Sequence, residues 1–344
     1  MPGFSRTISS KKIIPVGKIP PRLLKQLLDL PRKTSSDLLV GPSPGEDAAV
    51  LRMTGAPLVV TSDPITFKTP RPGYYAIHIN ANDIAVMGGV PRYFTLTLMM
   101  PPSTTERQAA EVMNEAIEAA DSLDVVLIGG HTEVTESVRD IVVSVTMLGD
   151  LVRSEPLRTS HGQPGDAIIQ VGQMGVEGTS ILAHEYRWQL GKEFGRAFVD
   201  RAAAFLVNPG LSVVAPALLA AERLEIHAMH DPTEGGLATG LNEVAIASET
   251  GLIVKENKLL IAPETVRLCD VLQKNPLGLI SSGCLIFTLP AKEAKTAVEL
   301  MTTSGFLSSE IGSLTGEQGK YYLEDMNGHR RNLPAFDVDE LASR

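Results

Sequence analysis

Apolar runs of strand length, closed by a carboxylate, a glycine pair or a proline, alternate with stretches of helical period through most of this chain. Leu58-Val-Val-Thr-Ser-Asp63, Tyr93 to Met99, Asp124 to Ile128 and Ile141 to Leu148 read as strands. Tyr74 to Met87 reads as a helix stopped by Gly88-Gly89, with Pro91 beyond. A second helix, capped by Ser103 or Thr104, turns Ala109, Met113, Ala116, Ile117 and Ala120 inward. This alternation, with 30 glycines, 23 prolines and only 5% aromatic residues, suits an α/β (α+β) enzyme better than a β-sandwich.

The length of 344 residues, at about 150 per domain, gives two domains. The second begins near Arg158. Its strands are Ala167 to Val171, Ile226 to Met229, Cys284 to Leu289 and Glu310 to Leu314; its helices are Val213 to Leu224, Leu237 to Ser248 and Ala291 to Thr303. The division falls near residue 155, giving domains 1–155 and 156–344. The first twenty residues, basic and broken by Pro15, Pro20 and Pro21, read as a mobile arm, and Arg22 to Leu30 as a short amphipathic helix.

A formal charge of −9 and the lack of a basic stripe disfavour nucleic-acid binding. Two cysteines, Cys269 and Cys284, make neither a disulfide framework nor a cysteine-rich metal site. No signal-peptide core and no membrane-length apolar run is present, so the expectation is a soluble, cytoplasmic protein. The Walker A, G-x-G-x-x-G, H-E-x-x-H and G-x-S-x-G signatures are all missing. Gly172, Gly175 and Gly178 follow a strand, where turn chemistry is the first reading and phosphate contact the second. His227 and His230 are three apart on a strand, which sends them to opposite faces.

The informative residues are acidic. Asp47 lies in a Gly/Pro loop before an apolar run, Asp63 ends a strand, and Asn80 and Asp83 share one helix face. Carboxylate and amide oxygens are hard ligands suited to Mg²⁺, which also binds phosphates. Gly129 and Gly130 would let backbone N–H groups approach those phosphates. In the second half, Asp231, Thr233 and Glu234 precede Gly235-Gly236 and a helix, whose N-terminus attracts an anionic group; an ordinary N-cap is the plainer reading.

GEDAAV around Asp47, TSDPITF around Asp63, NANDIAVMGGVPR (80–92), GGHTEV (129–134) and DPTEGGLATGLNEVA (231–245) occur in that order. Over roughly residues 17 to 315 the chain resembles the aminoimidazole ribonucleotide (AIR) synthase superfamily, most closely its HypE-like and AIR synthase-related members. The resemblance implies an N-terminal α/β domain that dimerises through a shared β-barrel, a C-terminal α/β domain, and ATP with Mg²⁺ in a cleft at the dimer interface. It makes Asp47, Asp63 and Asp83 metal ligands. It adds Asn80, Gly129, Gly130, His131 and Thr132 to the ATP site, with Lys18 on a glycine-bearing arm over the nucleotide. It implies that Asp231, Thr233, Gly235 and Gly236 meet the substrate, and that Asp231 or Glu234 moves a proton.

The chain departs from HypE at three places. Gly-Asp-Thr-Lys becomes Gly130-His131-Thr132-Glu133, Asn-Glu-Gly becomes Ser281-Ser282-Gly283, and no cysteine follows Cys284. The expected activity is therefore ATP- and Mg²⁺-dependent activation of an oxygen of a small substrate by phosphoryl transfer. The alternative is a HypE-like ATP-binding assembly module acting with a maturation-protein partner. Both cysteines are expected to be buried small hydrophobes.

Overall fold

The computed structural model describes residues 36–40, 46–53, 55, 57–67 and 69–342. The arm, the helix expected at 22–30 and Lys18 lie outside these residues.

The first domain is a sheet covered by two helices. Its elements are β1 (Leu38–Val40), β2 (Ala49–Leu51), β3 (Leu58–Ile65), α1 (Pro72–Val86), β4 (Gly89–Met100), α2 (Glu106–Ser122), β5 (Val126–Val134) and β6 (Val142–Leu151). The strand order is β1-β2-β3-β6-β4-β5. Every neighbouring pair is antiparallel except β4 and β5. Among the described residues the sheet is open, with β5 as an edge, so one chain does not form the expected barrel.

Proline at the start suits α1, because the first helical N–H has no partner inside the helix. Every residue from Tyr75 to Val86 is buried. A helix surrounded in this way needs partners for its polar side chains, and the partners of Asn80, Asn82 and Asp83 build the site described below. The α2 helix opens on Thr105, not Ser103 or Thr104. The Thr105 hydroxyl accepts from the Gln108 N–H while Gln108 Oε1 accepts from the Thr105 N–H, a reciprocal cap.

The second domain contains β7 (Asp166–Val171), α3 (Val176–Glu185), α4 (Arg187–Phe194), α5 (Arg196–Ala203), α6 (Val214–Arg223), β8 (Ala228–His230), α7 (Gly236–Ala247), β9 (Gly251–Lys255), α8 (Pro263–Leu272), β10 (Leu285–Pro290), α9 (Ala294–Thr303), β11 (Ser308–Thr315), β12 (Tyr321–Glu324) and β13 (Arg330–Asn332). Its sheet runs β13-β12-β9-β11-β7-β10-β8, with β9 and β12 the one parallel pair. The interior strand β7 is buried along its whole length. Alanines of α6 and α9 (Ala217, Ala220, Ala294, Ala297) cover one face, and Leu237, Leu241 and Val244 of α7 pack on the other.

The two sheets share α1. Ala85 and Val86 sit in the core under α6 and α9. Asn82 donates to the Leu211 carbonyl at 2.8 Å and accepts from the Val213 N–H at 2.8 Å. Among the described residues no helix is long and apolar enough to cross a membrane.

Candidate functional site

Asp47, Asp63 and Asp231, from three separate stretches of sequence, converge on Asp83 of α1. Asp83 is fully buried, and burial holds its carboxyl well above the ordinary range; the negative charges of Asp63, Asp231 and Asp47 push it the same way. The Thr61 hydroxyl donates to Asp83 Oδ2 at 2.7 Å and works in the opposite direction. Asn80 fixes the neighbouring strand: its Oδ1 accepts from the Asp63 N–H at 2.9 Å, and its Nδ2 donates to the Asp63 carbonyl at 3.1 Å. The helix face that carries Asn80 and Asp83 thus holds Asp63 beside Asp83. Asn80 acts there through the backbone rather than as one of the converging carboxylates.

His230, which the motif reading passed over, supplies the nearest positive charge. Its Nδ1 meets Asp47 Oδ2 at 2.8 Å and its Nε2 meets Glu243 Oε2 at 3.0 Å. Burial works against a charged ring, but Asp47 and Glu243 outweigh it and hold the pKa well above the ordinary value. One ligand atom each of Asp47, His230 and Asp231 lies within 4.8 Å of the others. An imidazolium with both N–H groups donated has no lone pair for a metal. His230 therefore serves as a counter-charge, and the carboxylate oxygens are the donors left for a cation. Concentrated, mutually repelling oxygens, with Asp83 and Asp231 buried and Asp63 open to solvent, are the donor set that a hard divalent ion neutralises, so these residues fit Mg²⁺. Aspartates that each read alone as turn or cap residues are brought together by the fold. The signal for His230 was its place directly before Asp231.

The loop 231–236 lies at the same end of the second domain and leads into α7 as expected, but without the expected cap. Neither Asp231 nor Thr233 caps the helix. The N-cap is Gly235, in the left-handed region at φ 77°. The Thr233 carbonyl accepts from the Gly236 and Ser281 N–H groups, and the Gly235 N–H is taken by Asp339 Oδ2 at 2.7 Å. Burial pushes the Asp339 carboxyl up to about 6, against backbone N–H groups of Leu341, Gly235 and Ile280. Close by, Glu177 at the start of α3 is fully buried, and burial pushes it up to about 8. Ser282 lies near enough to draw that value down, but neither carboxyl oxygen of Glu177 closes a hydrogen bond of normal geometry. Glu177 therefore lies against Ser282. No local pattern marked it, because the pairing joins residues a hundred positions apart.

The glycine motif lies elsewhere. The strand expected to stop at Ile128 runs on as β5 through Gly129, Gly130, His131 and Thr132 to Val134. Gly130 has φ 152°, and a Cβ there would stand 2.0 Å from the Leu96 carbonyl oxygen, so the close β4–β5 approach requires glycine. The register joins Asp63 to Val145, Val145 to Leu96 and Leu96 to Gly130. Three strand spacings separate Asp63 from Gly130, about 14 Å. Within one chain, then, Gly129 to Thr132 and the aspartates are not brought together. His131 and Glu133 pair with each other on the exposed strand at 3.5 Å.

The glycines after β7 do packing work. Gly175 is a left-handed N-cap whose N–H donates to Ser281 Oγ at 2.9 Å, and Gly178 packs against Leu279. His227 and His230 go to different partners, Asp166 and Asp47. Cys269 and Cys284 are both buried, and burial pushes each thiol up to about 12.

A mixed α/β pair of domains with this carboxylate centre defines the class, and comparison with known sequences defines the family. The AIR synthase related protein family matches over residues 45–151 with its N-terminal domain and over 163–323 with its C-terminal domain. This chain belongs to the AIR synthase related family. A hydrogenase expression/formation protein of Methanocaldococcus jannaschii is 30% identical over 91% of this chain and 93% of its own length. Carbamoyl dehydratase HypE of Rhizobium leguminosarum is 28% identical, over 74% of this chain and 71% of its own. The crystal structure of the hydrogenase maturation protein HypE in complex with ATP superposes with a TM-score of 0.71 at 26% identity, covering 89% of this chain and 95% of that one.

Proposed function

We propose that this protein is an ATP- and Mg²⁺-dependent enzyme that activates an oxygen of a small substrate by γ-phosphoryl transfer. The observation that carries the reading is Asp83, fully buried among Asp63, Asp231 and Asp47. Such a centre is costly without a cation, and phosphoryl transfer depends on charge neutralisation and alignment more than on covalent help from the protein. The solved HypE–ATP complex supports nucleotide binding, and the carbamoyl dehydratase relative supports an oxygen as the phosphate acceptor.

Asp47, Asp63 and Asp83 would hold Mg²⁺, which when bound clamps phosphate oxygens and neutralises their charge. Thr61 and Asn80 set the positions of Asp83 and Asp63, and His230 fixes Asp47. Thr233, Gly235 and Gly236 line the substrate side, with Asp231 or Glu234 moving a proton. The division into domains 1–155 and 156–344 places the seam along this site. A homodimer would bring Gly129, Gly130, His131 and Thr132 of one protomer, with Lys18 on its arm, toward the aspartates of the other, and would close the open sheet into a shared barrel.

A second reading, an ATP-binding assembly module with a maturation-protein partner and weak turnover, is favoured by the two cysteines: buried thiols held near 12 do not accept a transferred group. Single-turnover ATP hydrolysis with and without small carboxamides separates the two. Stimulation by an amide supports the enzyme; tight nucleotide binding with no stimulation supports the module.

A further inference from the structure

A cleft of about 360 Å³ opens at the seam of the two domains, lined by Arg153, Glu155, His161, Gln163 and His227 above Pro156, Leu157 and Ile226. None of these residues belongs to the aspartate centre. His227 is held from behind by Asp166, itself 3% exposed, whose two carboxylate oxygens both lie 2.9 Å from His227 Nδ1. Asp166 is fixed in turn, because its Oδ2 accepts from the Gln163 N–H at 2.9 Å. With Nδ1 committed, Nε2 is the nitrogen His227 leaves to the cleft, and among the described residues it has no partner. The carboxylate behind the ring fixes its orientation. The His161 side chain has no partner among the described residues either. Arg153 gives one nitrogen to the Ala221 carbonyl, while its stem packs on Gly88, where a Cβ would stand 3.1 Å from Arg153 Cδ.

The cleft therefore gathers an arginine and two histidines, with Glu155 on its wall and Asp166 behind His227, in a chain of formal charge −9. We propose that it is a second ligand site, for the phosphate group of a small phosphomonoester. The Arg153 guanidinium is the group in this lining that holds a phosphate by charge-assisted hydrogen bonds, and the histidine oriented by a buried carboxylate presents a fixed ring nitrogen beside it. The volume falls in the range of small-molecule pockets and exceeds what orthophosphate fills. The ligand would brace the domains, touching the first through Arg153 on Gly88 and the second through His227. His227 directly precedes the short strand β8, which ends at His230, so β8 links the cleft to the aspartate centre.

The test is histidine-resolved NMR of the full chain, titrated with glycerol phosphate and with orthophosphate in EDTA, so that no divalent ion loads the aspartates. The account expects saturable shifts of the His227 and His161 ring signals, with glycerol phosphate binding more tightly than orthophosphate. Binding should weaken about tenfold or more in His227→Gln and in Asp166→Asn, and stay unchanged in Asp63→Ala. Equal affinity for both ligands would reassign the site to free phosphate and overturn the phosphomonoester. No saturable shift up to about 20 mM, or equal binding in His227→Gln, would overturn the site altogether. Loss in Asp63→Ala would show that the anion sits at the aspartate centre instead. Failure of ATP binding with this cleft intact would leave the proposal standing.

Discussion

The two flanks of the six-stranded sheet are built on opposite terms. On the β3 side, Asp63 is pinned by Asn80, Asp83 is buried beneath it, and Asp47 is tied to His230 across the domain seam. On the β5 side the whole strand is exposed, including Val126, Leu127, Ile128 and Val134, and the backbone edge has no neighbour among the described residues. One flank is completed by a single chain, and the other ends in an apolar edge of the kind soluble proteins usually cover. The difference teaches that the aspartates and the glycine strand, which the motifs link, need not be joined within one protomer. We assign the missing cover to a second copy.

The largest effect is expected at the bare edge. Ile128→Asp puts a charge into the centre of β5, whose residues have few contacts to lose, so the fold should survive. Sedimentation should show a dimer for the wild type and a monomer for the variant, with Mg-ATP stabilisation lost alongside. A variant that stays dimeric, or a wild type that is monomeric at micromolar concentration, breaks the comparison by making the edge irrelevant.

The next effect probes the buried side of the site. Glu177 is protonated in the fold up to about 8, whereas the unfolded chain releases that proton near the ordinary 4.5. The folded state binds more protons across this window, so stability falls as pH rises from about 4.5 to about 8. Glu177→Gln should remove that slope. By denaturant unfolding, the variant should match wild type near pH 4.5 and exceed it near pH 9, by about 5 kcal/mol. Parallel curves for the two proteins would show that Glu177 is not a buried acid in solution.

Asn82→Ala is the smallest of the three. It leaves the Val213 N–H and the Leu211 carbonyl buried without their partner, at a cost of about 2–3 kcal/mol. Because α1 carries both Asn82 and Asp83, nucleotide affinity should fall with stability. If stability drops and affinity does not, the completed side of the sheet is more independent of the domain seam than the structure implies.

The sequence carried the architecture where periodicity was strong. The α1 pattern from Tyr74 to Met87 and the β10 run from Cys284 to Leu289 match Pro72–Val86 and Leu285–Pro290 closely. The β5 strand was read short because two glycines look like a loop. Only the register against Leu96 shows that Gly130 is there so that two strands can come close. The four aspartates stood out through their motifs. His230, Glu243, Glu177 and Asp339 did not, since each acquires its role from a partner distant in sequence: Asp47 is 183 residues before His230, and Gly235 is 104 before Asp339. The helix cap expected from Asp231 or Thr233 failed because Gly235, in the left-handed region, takes the N-cap position, and Asp339 of the C-terminal segment holds the Gly235 N–H.

The central claim is that Asp47 before β2, Asp63 on β3 and Asp83 on α1 form a Mg²⁺-dependent nucleotide site. Isothermal titration of the full chain with ATP, in Mg²⁺ and in EDTA, tests it most directly when wild type is run beside Asp63→Ala and Asp83→Asn. The account predicts saturable binding by wild type in Mg²⁺, at least about tenfold weaker binding in EDTA, and a similar loss in both variants even with Mg²⁺ present. Identical isotherms for wild type and the two variants in Mg²⁺ would contradict it.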